Sequence, residues 1–174
     1  MRQPRIKMLT TMSLLIATEI ILTRFFSINT GIIRIGFGFL PIAIMAVMYG
    51  PIRAGSGAVV ANLLGVALFP SAFFPGFTLT AFLTGVVYGL VLYNRRKSML
   101  RVIVAVLIVT IILNLGLDTL WLLIMGGTLN VEGFLAIVLW RILRTLIMTP
   151  IQIILILAVT QGTIGKLIVS HSSR

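Results

Sequence analysis

The sequence contains no cysteine, one histidine and three acidic residues, Glu19, Asp118 and Glu132, in 174 positions. Without cysteine there is no disulfide, no thiolate nucleophile and no thiolate metal site. His171 stands alone in a polar tail, and the three acids form no His-x-x-x-His or carboxylate cluster for a metal ion. A glycine-rich loop ending in Lys-Ser/Thr, which would cradle a nucleotide phosphate, is also missing. The expectation is a protein with no catalytic residue, no metal and no cofactor, whose energy, if it uses any, comes from a partner. Charge of either sign is scarce: 10% of residues are charged and 59% hydrophobic. Soluble domains are about one quarter charged, and the mean hydropathy here is +1.18.

What is present is a series of apolar runs that reach or approach the roughly 20 residues a helix needs to cross a bilayer, without the alternation of a membrane barrel. The fold class expected is an all-α integral membrane protein, a bundle of six transmembrane helices in one domain, 1–174. The spans fall at about 8–26, 33–50, 52–70, 76–94, 101–126 and 132–163. The first resembles a secretory signal, but it lacks a small-residue cleavage site and more runs follow, so it is taken as a retained span. Glycine and proline mark the joints: "NTG", "YGPIRAG", "FPSAFFPG" and "MGGTLNVEG". The second of these is short enough to require a tight helical hairpin. The sixth run exceeds what a span needs, so Pro150 kinks it or a tilt absorbs the excess.

Ten of the fourteen basic residues fall on one side if six spans alternate: Arg2, Arg5, Lys7, Arg53, Arg95, Arg96, Lys97, Arg101, Lys166 and Arg174. By the positive-inside rule that side is cytoplasmic, which places both termini inside. The net charge of +11 is then explained by orientation and contact with anionic membrane lipid, not by nucleic-acid binding.

The informative remainder is Arg24, Arg34, Arg141, Arg144 and the three acids. At about 1.5 Å of rise per residue, Glu19, Asn62, Asp118 and Arg141 lie roughly 10–13 Å below the outer ends of four different helices. A charge near mid-bilayer costs about 2.5–3.5 kcal/mol on insertion scales, so such groups face the bundle interior and pair. Asp118 with Arg141 is the pairing expected. Asn114, Asp118 and Trp121, at i, i+4 and i+7, form an inward stripe, and Arg141 and Arg144 share a face. If Glu19 looks inward, Ser13 and Ala17 look outward as a small-xxx-small pair suited to another membrane helix. Arg24 counts back onto that outward face. Gly57, Ala61 and Gly65 are read as a tight helix-packing stripe.

Four stretches, "IRIGFGFLPIAIMAVMYGPIRAG", "FFPGFTLTAFLTGVVYG", "LDTLWL" and "RILRTLIMTPIQ", together resemble the folate-specific substrate-binding subunits, or S components, of energy-coupling-factor (ECF) transporters. The resemblance implies six membrane helices and a vitamin site near the outer face. It also implies assembly with a transmembrane coupling subunit and two ATPase subunits through an Ala-x-x-x-Ala motif on the first helix, where Ser13 replaces the first alanine and Ala17 is the second. Asn62 stands where an aspartate is commoner in the family. The ligand implied is folate or a reduced folate. Asp118 would answer the donor edge of the pterin, Arg34 and Arg24 the glutamate end, and Phe37, Phe77 and Trp121 the ring faces; Thr78 and Thr80 would add hydroxyls. Arg141 would neutralise and hold Asp118, with Arg144 a turn deeper donating to the ligand or to backbone carbonyls. The alternatives are a purely structural Asp118–Arg141 bridge with an interfacial aromatic belt, a small proton-coupled multidrug or ion antiporter working through Glu19, and an S component for another vitamin.

Overall fold

In hydrocarbon each backbone N–H and C=O must find its partner inside the protein, and a helix does this within one segment. The computed structural model describes residues 3–29, 34–69, 74–94, 98–126 and 131–161, and most of them are helical. Helix α1 spans Gln3–Arg24, α2 Phe39–Tyr49, α3 Pro51–Leu68 and α4 Pro75–Leu92. Then α5, Met99–Leu107, runs without a break through a π-helical stretch, Ile108–Leu117, into α6, Asp118–Gly126, and α7 covers Val131–Gln161. Counting α5 to α6 as one rod gives six helices among the described residues, five of them long and apolar enough to cross a membrane.

The second differs from the expected 33–50. Only 11 residues, Phe39–Tyr49, are helical, about 16 Å or half a hydrocarbon core. Ahead of them Arg34–Ile35 pairs antiparallel with Ile28–Asn29, Asn29 opposite Arg34, and Gly36 and Gly38 separate this pair from the helix. Of the predicted "NTG" turn, Asn29 ends the first strand of that pair, and Thr30 and Gly31 lie outside the described residues. So do Arg2, Arg95, Arg96, Lys97, Lys166, His171 and Arg174. Helix α7 continues through Pro150 for 31 residues.

Proline and glycine set the joints. Gly50 takes φ +85°, a left-handed conformation open to glycine, and its N–H bonds Ala46 O at 3.1 Å while Pro51 opens α3. One residue therefore reverses the chain between α2 and α3. Helix α4 then lies backbone to backbone on α3. A Cβ at Gly85 would stand 2.6 Å from the carbonyl carbon of Ala54, and one at Gly89 2.2 Å from Cα of Pro51. Gly57 receives Met45 of α2, and Gly65 receives the Arg24 guanidinium of α1, so the Gly57/Ala61/Gly65 stripe packs against α1 and α2.

Membrane helices gain no hydrophobic drive from meeting each other, so this close contact is what holds them together. Gly89→Val is accordingly expected to cost about 1–3 kcal/mol through forced separation of α3 and α4, read as a melting temperature lower by several degrees. Gly116→Ala is the control: a Cβ there would meet only Ile111 O of its own helical rod, at an ordinary contact distance of 3.6 Å, and its melting temperature should not fall.

The core is built from Met45, Ala46, Ala54, Tyr88, Val106 and Ile156 with their neighbours. Leu14, Leu90, Leu100, Leu139 and Leu146 point outward, as a hydrocarbon solvent permits.

Candidate functional site

The π-helical stretch determines the site's geometry. At its end the N–H of Asp118 bonds Leu113 O, five residues back, where an α-helix would use Asn114 O. The freed Asn114 carbonyl accepts a hydrogen bond from Arg141 Nη2 at 3.2 Å. One residue on, the Leu115 carbonyl accepts from the Thr119 hydroxyl. The expected Asn114/Asp118/Trp121 stripe therefore holds its α-helical spacing only from Asp118 to Trp121, because the wider turn rotates Asn114 out of register.

Arg141 crosses from α7 to meet Asp118 at 3.7 Å, the two side chains 8% and 17% exposed. Arg144 also acts on the Asp118 charge, and Thr80 lies beside the carboxylate. Buried opposite charges are tolerated only with good geometry and further hydrogen bonds. This pair is incompletely satisfied: Asp118 Oδ1 and Arg141 Nη1 are buried, and neither has a hydrogen-bond partner among the described residues.

Over the pair stands an aromatic wall. Trp121 Nε1 donates to Thr80 Oγ1 at 3.1 Å, and Thr80 in turn donates to Gly76 O at 3.2 Å. The Trp121 ring lies so close to Gly76 that a Cβ there would sit 2.4 Å from its Cδ2. Phe74 meets Trp121 with centroids 5.7 Å apart and Phe77 edge-on at 6.2 Å. Thus Thr80, Asp118, Trp121 and Arg141 come together from α4, α6 and α7, with Arg144 close below.

The remaining expected residues lie in separate groups. Thr78 donates to Asn62 Oδ1 at 3.1 Å, tying α4 to α3. Arg24 does not follow the outward face of Ala17. Its guanidinium lies against Gly65 and 5.9 Å over the Phe69 ring, with Glu19 acting on its charge, because a long side chain at a helix end reaches well away from its Cα. Glu19 itself accepts from Thr23 at 2.9 Å and faces Gly38 at the start of α2. Phe37 is 37% exposed and its nearest ring partner is Phe39 at 6.4 Å. Arg34 contributes its backbone to the strand pair, and its side chain lies outside the described residues, as does that of Glu132. Ser13 and Ala17 are exposed on α1, next to Leu14 at 67%.

Sequence reasoning missed Phe74, whose signal was its place just ahead of Pro75, and the Asn114 carbonyl, for which no sequence signal exists. Among the described residues, no group of three or more His, Cys, Asp or Glu could hold a metal. The arrangement has the means to bind: a held carboxylate, a ring wall and hydroxyls.

Residues 7–160 match the family described as ECF transporter, substrate-specific component. A folate transporter FolT of Clostridium novyi is 42% identical over 153 residues, 87% of each chain. A folate transporter FolT of Leuconostoc mesenteroides is 31% identical over 94% of this chain and 87% of the relative. A crystal structure of FolT bound with folic acid superposes with a TM-score of 0.81 at 39% identity, covering 87% of this chain and 90% of that one. Membership excludes an enzyme and displaces the self-sufficient antiporter. Six helices of this composition make the chain a multi-pass bacterial membrane protein, and it belongs to the family of ECF transporter substrate-specific components as a folate-family member.

Proposed function

We propose that this protein captures folate or a reduced folate at the outer face of the cell membrane and delivers it inward when docked on a transmembrane coupling subunit with two ATPase subunits. The observation that carries the ligand assignment is the Asp118 carboxylate. Arg141 grips it from one side, Oδ1 has no partner among the described residues, and the rings of Trp121 and Phe74 stand beside it. A pterin has a donor edge for such a carboxylate and flat faces for such rings. Thr80 and Trp121 fix the wall, and Phe77, Phe37, Asn62 and Thr78 border the approach. Arg34 and Arg24 are the cations for the glutamate end, and Arg144 supports Asp118 from a turn deeper.

The FolT structure with folic acid and the folate transporter relatives support the same ligand. Orientation follows from the basic residues: by the positive-inside rule both termini lie in the cytoplasm, which turns the Gly126 end of α6 toward the outside, with Asp118 at the deeper end of that helix.

Isothermal titration of the purified protein against a panel of vitamins provides the test. One molecule of folate or reduced folate should bind tightly per chain with no ATP and no partner present, and riboflavin, thiamine and biotin should give no heat. Tight binding of another vitamin in place of folate would overturn the assignment.

A further inference from the structure

The Asp118–Arg141 pair does not close on itself. A carboxylate and a guanidinium that meet side-on use both oxygens and two nitrogens in parallel bonds. Here a single atom of each makes the contact, Asp118 Oδ2 with Arg141 Nη2 at 3.7 Å, and Nη2 is shared with the Asn114 carbonyl at 3.2 Å. The carbonyl that the π-helical stretch sets free therefore competes with the carboxylate for that nitrogen.

What remains is a matched set. Asp118 Oδ1 is an acceptor and Arg141 Nη1 a donor; both are buried, and neither has a hydrogen-bond partner among the described residues. Each is one covalent step from the atoms in contact, so the two are neighbours, one carried by α6 and the other by α7. Polar groups left unpaired in a low dielectric are costly. A single partner that satisfies both must carry a donor and an acceptor on adjacent atoms. The rings of Trp121, one turn beyond Asp118, and Phe74 stand beside them, which suits a flat ring that turns its edge to the pair.

A pterin has such an edge, where the N3–H donor adjoins the carbonyl on C4. We infer that Arg141 is a specificity-determining residue of the vitamin site: its Nη1 donates to the C4 oxygen of the pterin while Asp118 Oδ1 accepts from N3–H. This rests on the folate reading above and narrows it to 4-oxo pteridines. An amino group on C4 inverts both signs, setting a donor against Nη1 and a bare nitrogen lone pair against Oδ1. The 4-amino ring is also the more basic, so a carboxylate acting alone would favour it as a cation. Arg141 reverses the preference that Asp118 would have by itself.

Titration calorimetry at neutral pH on the purified protein compares folic acid with its 4-amino-4-deoxy analogue, which is identical elsewhere, so that contacts to the linker and the glutamate cancel. The analogue should bind about ten- to a hundredfold more weakly, because a site built to pair with a polar group rejects the compound that leaves it unpaired. Arg141→Lys keeps a cation beside Asp118 and removes the second nitrogen. In that variant folic acid should lose about tenfold in affinity and the analogue should not, so that the gap between them closes; a merely structural role would weaken both alike. Equal or tighter binding of the analogue by the unaltered protein would overturn the inference, the result expected if a water in the small space between the π-helical stretch and α7 satisfies Nη1 instead. A parallel loss of both compounds in Arg141→Lys would overturn it as well. If that variant does not fold, the two titrations of the unaltered protein still decide. Failure of folic acid itself to bind would overturn the folate reading and this inference with it, whereas tight binding of both compounds strikes this inference alone.

Discussion

Asp118→Asn lowers folate affinity by about ten- to a hundredfold while the protein still inserts and folds, the expected loss of a charge-assisted hydrogen bond of roughly 1.5–3 kcal/mol to a buried ligand. Arg141→Ala acts differently. It removes the 3.7 Å partner of the carboxylate and the donor to Asn114 O at once, and leaves an uncompensated charge in the bundle at a cost of about 3–5 kcal/mol. Its principal effect is therefore on yield and melting temperature. The double variant Asp118→Asn with Arg141→Gln removes both charges and keeps hydrogen-bonding side chains at both places. Expression should recover and affinity should not, measured by titration calorimetry beside fluorescence-detected gel filtration. Recovered affinity would reduce the pair to a structural bridge and move the ligand site toward Phe37 and the opening turn of α4.

Ser13→Trp or Ala17→Trp abolishes vitamin uptake by cells and leaves folate binding to the purified protein within about twofold, since neither residue shares a partner with the site. Both lie exposed on α1, and small residues four apart let a second helix approach to backbone contact. In the proposed complex a tryptophan there would wedge the coupling subunit away. At its C-terminal end the same helix is tied to the bundle through Glu19, Thr23 and Arg24, so the proposed docking face and the bundle-facing groups occupy different parts of one rod. Uptake of labelled folate and calorimetry on the same variants check this together. An equal fall in both would mean that α1 holds the ligand as well as the partner.

Apolar run length and glycine–proline punctuation were enough to derive six helices and a tight hairpin between the second and the third, and counting depth along the helices was enough to pair Asp118 with Arg141. Hydrocarbon leaves few options for a backbone or an isolated charge, so composition and depth carry most of that information. Three features were decided only in the folded bundle. Arg34–Ile35 left the helical run to pair with Ile28–Asn29, because glycines at 36 and 38 permit either conformation and the neighbouring strand supplies the hydrogen bonds. Arg24 turned from the outward face to Gly65 and Phe69, because a glycine on α3 makes room for it. The π-helical turns before Asp118 handed the Asn114 carbonyl to Arg141. Nothing in "IVTIILNLGL" distinguishes a wide turn from an α-helical one; the choice is made by a partner 27 residues away along the chain, whose buried guanidinium needs an acceptor that an α-helix would have kept for itself.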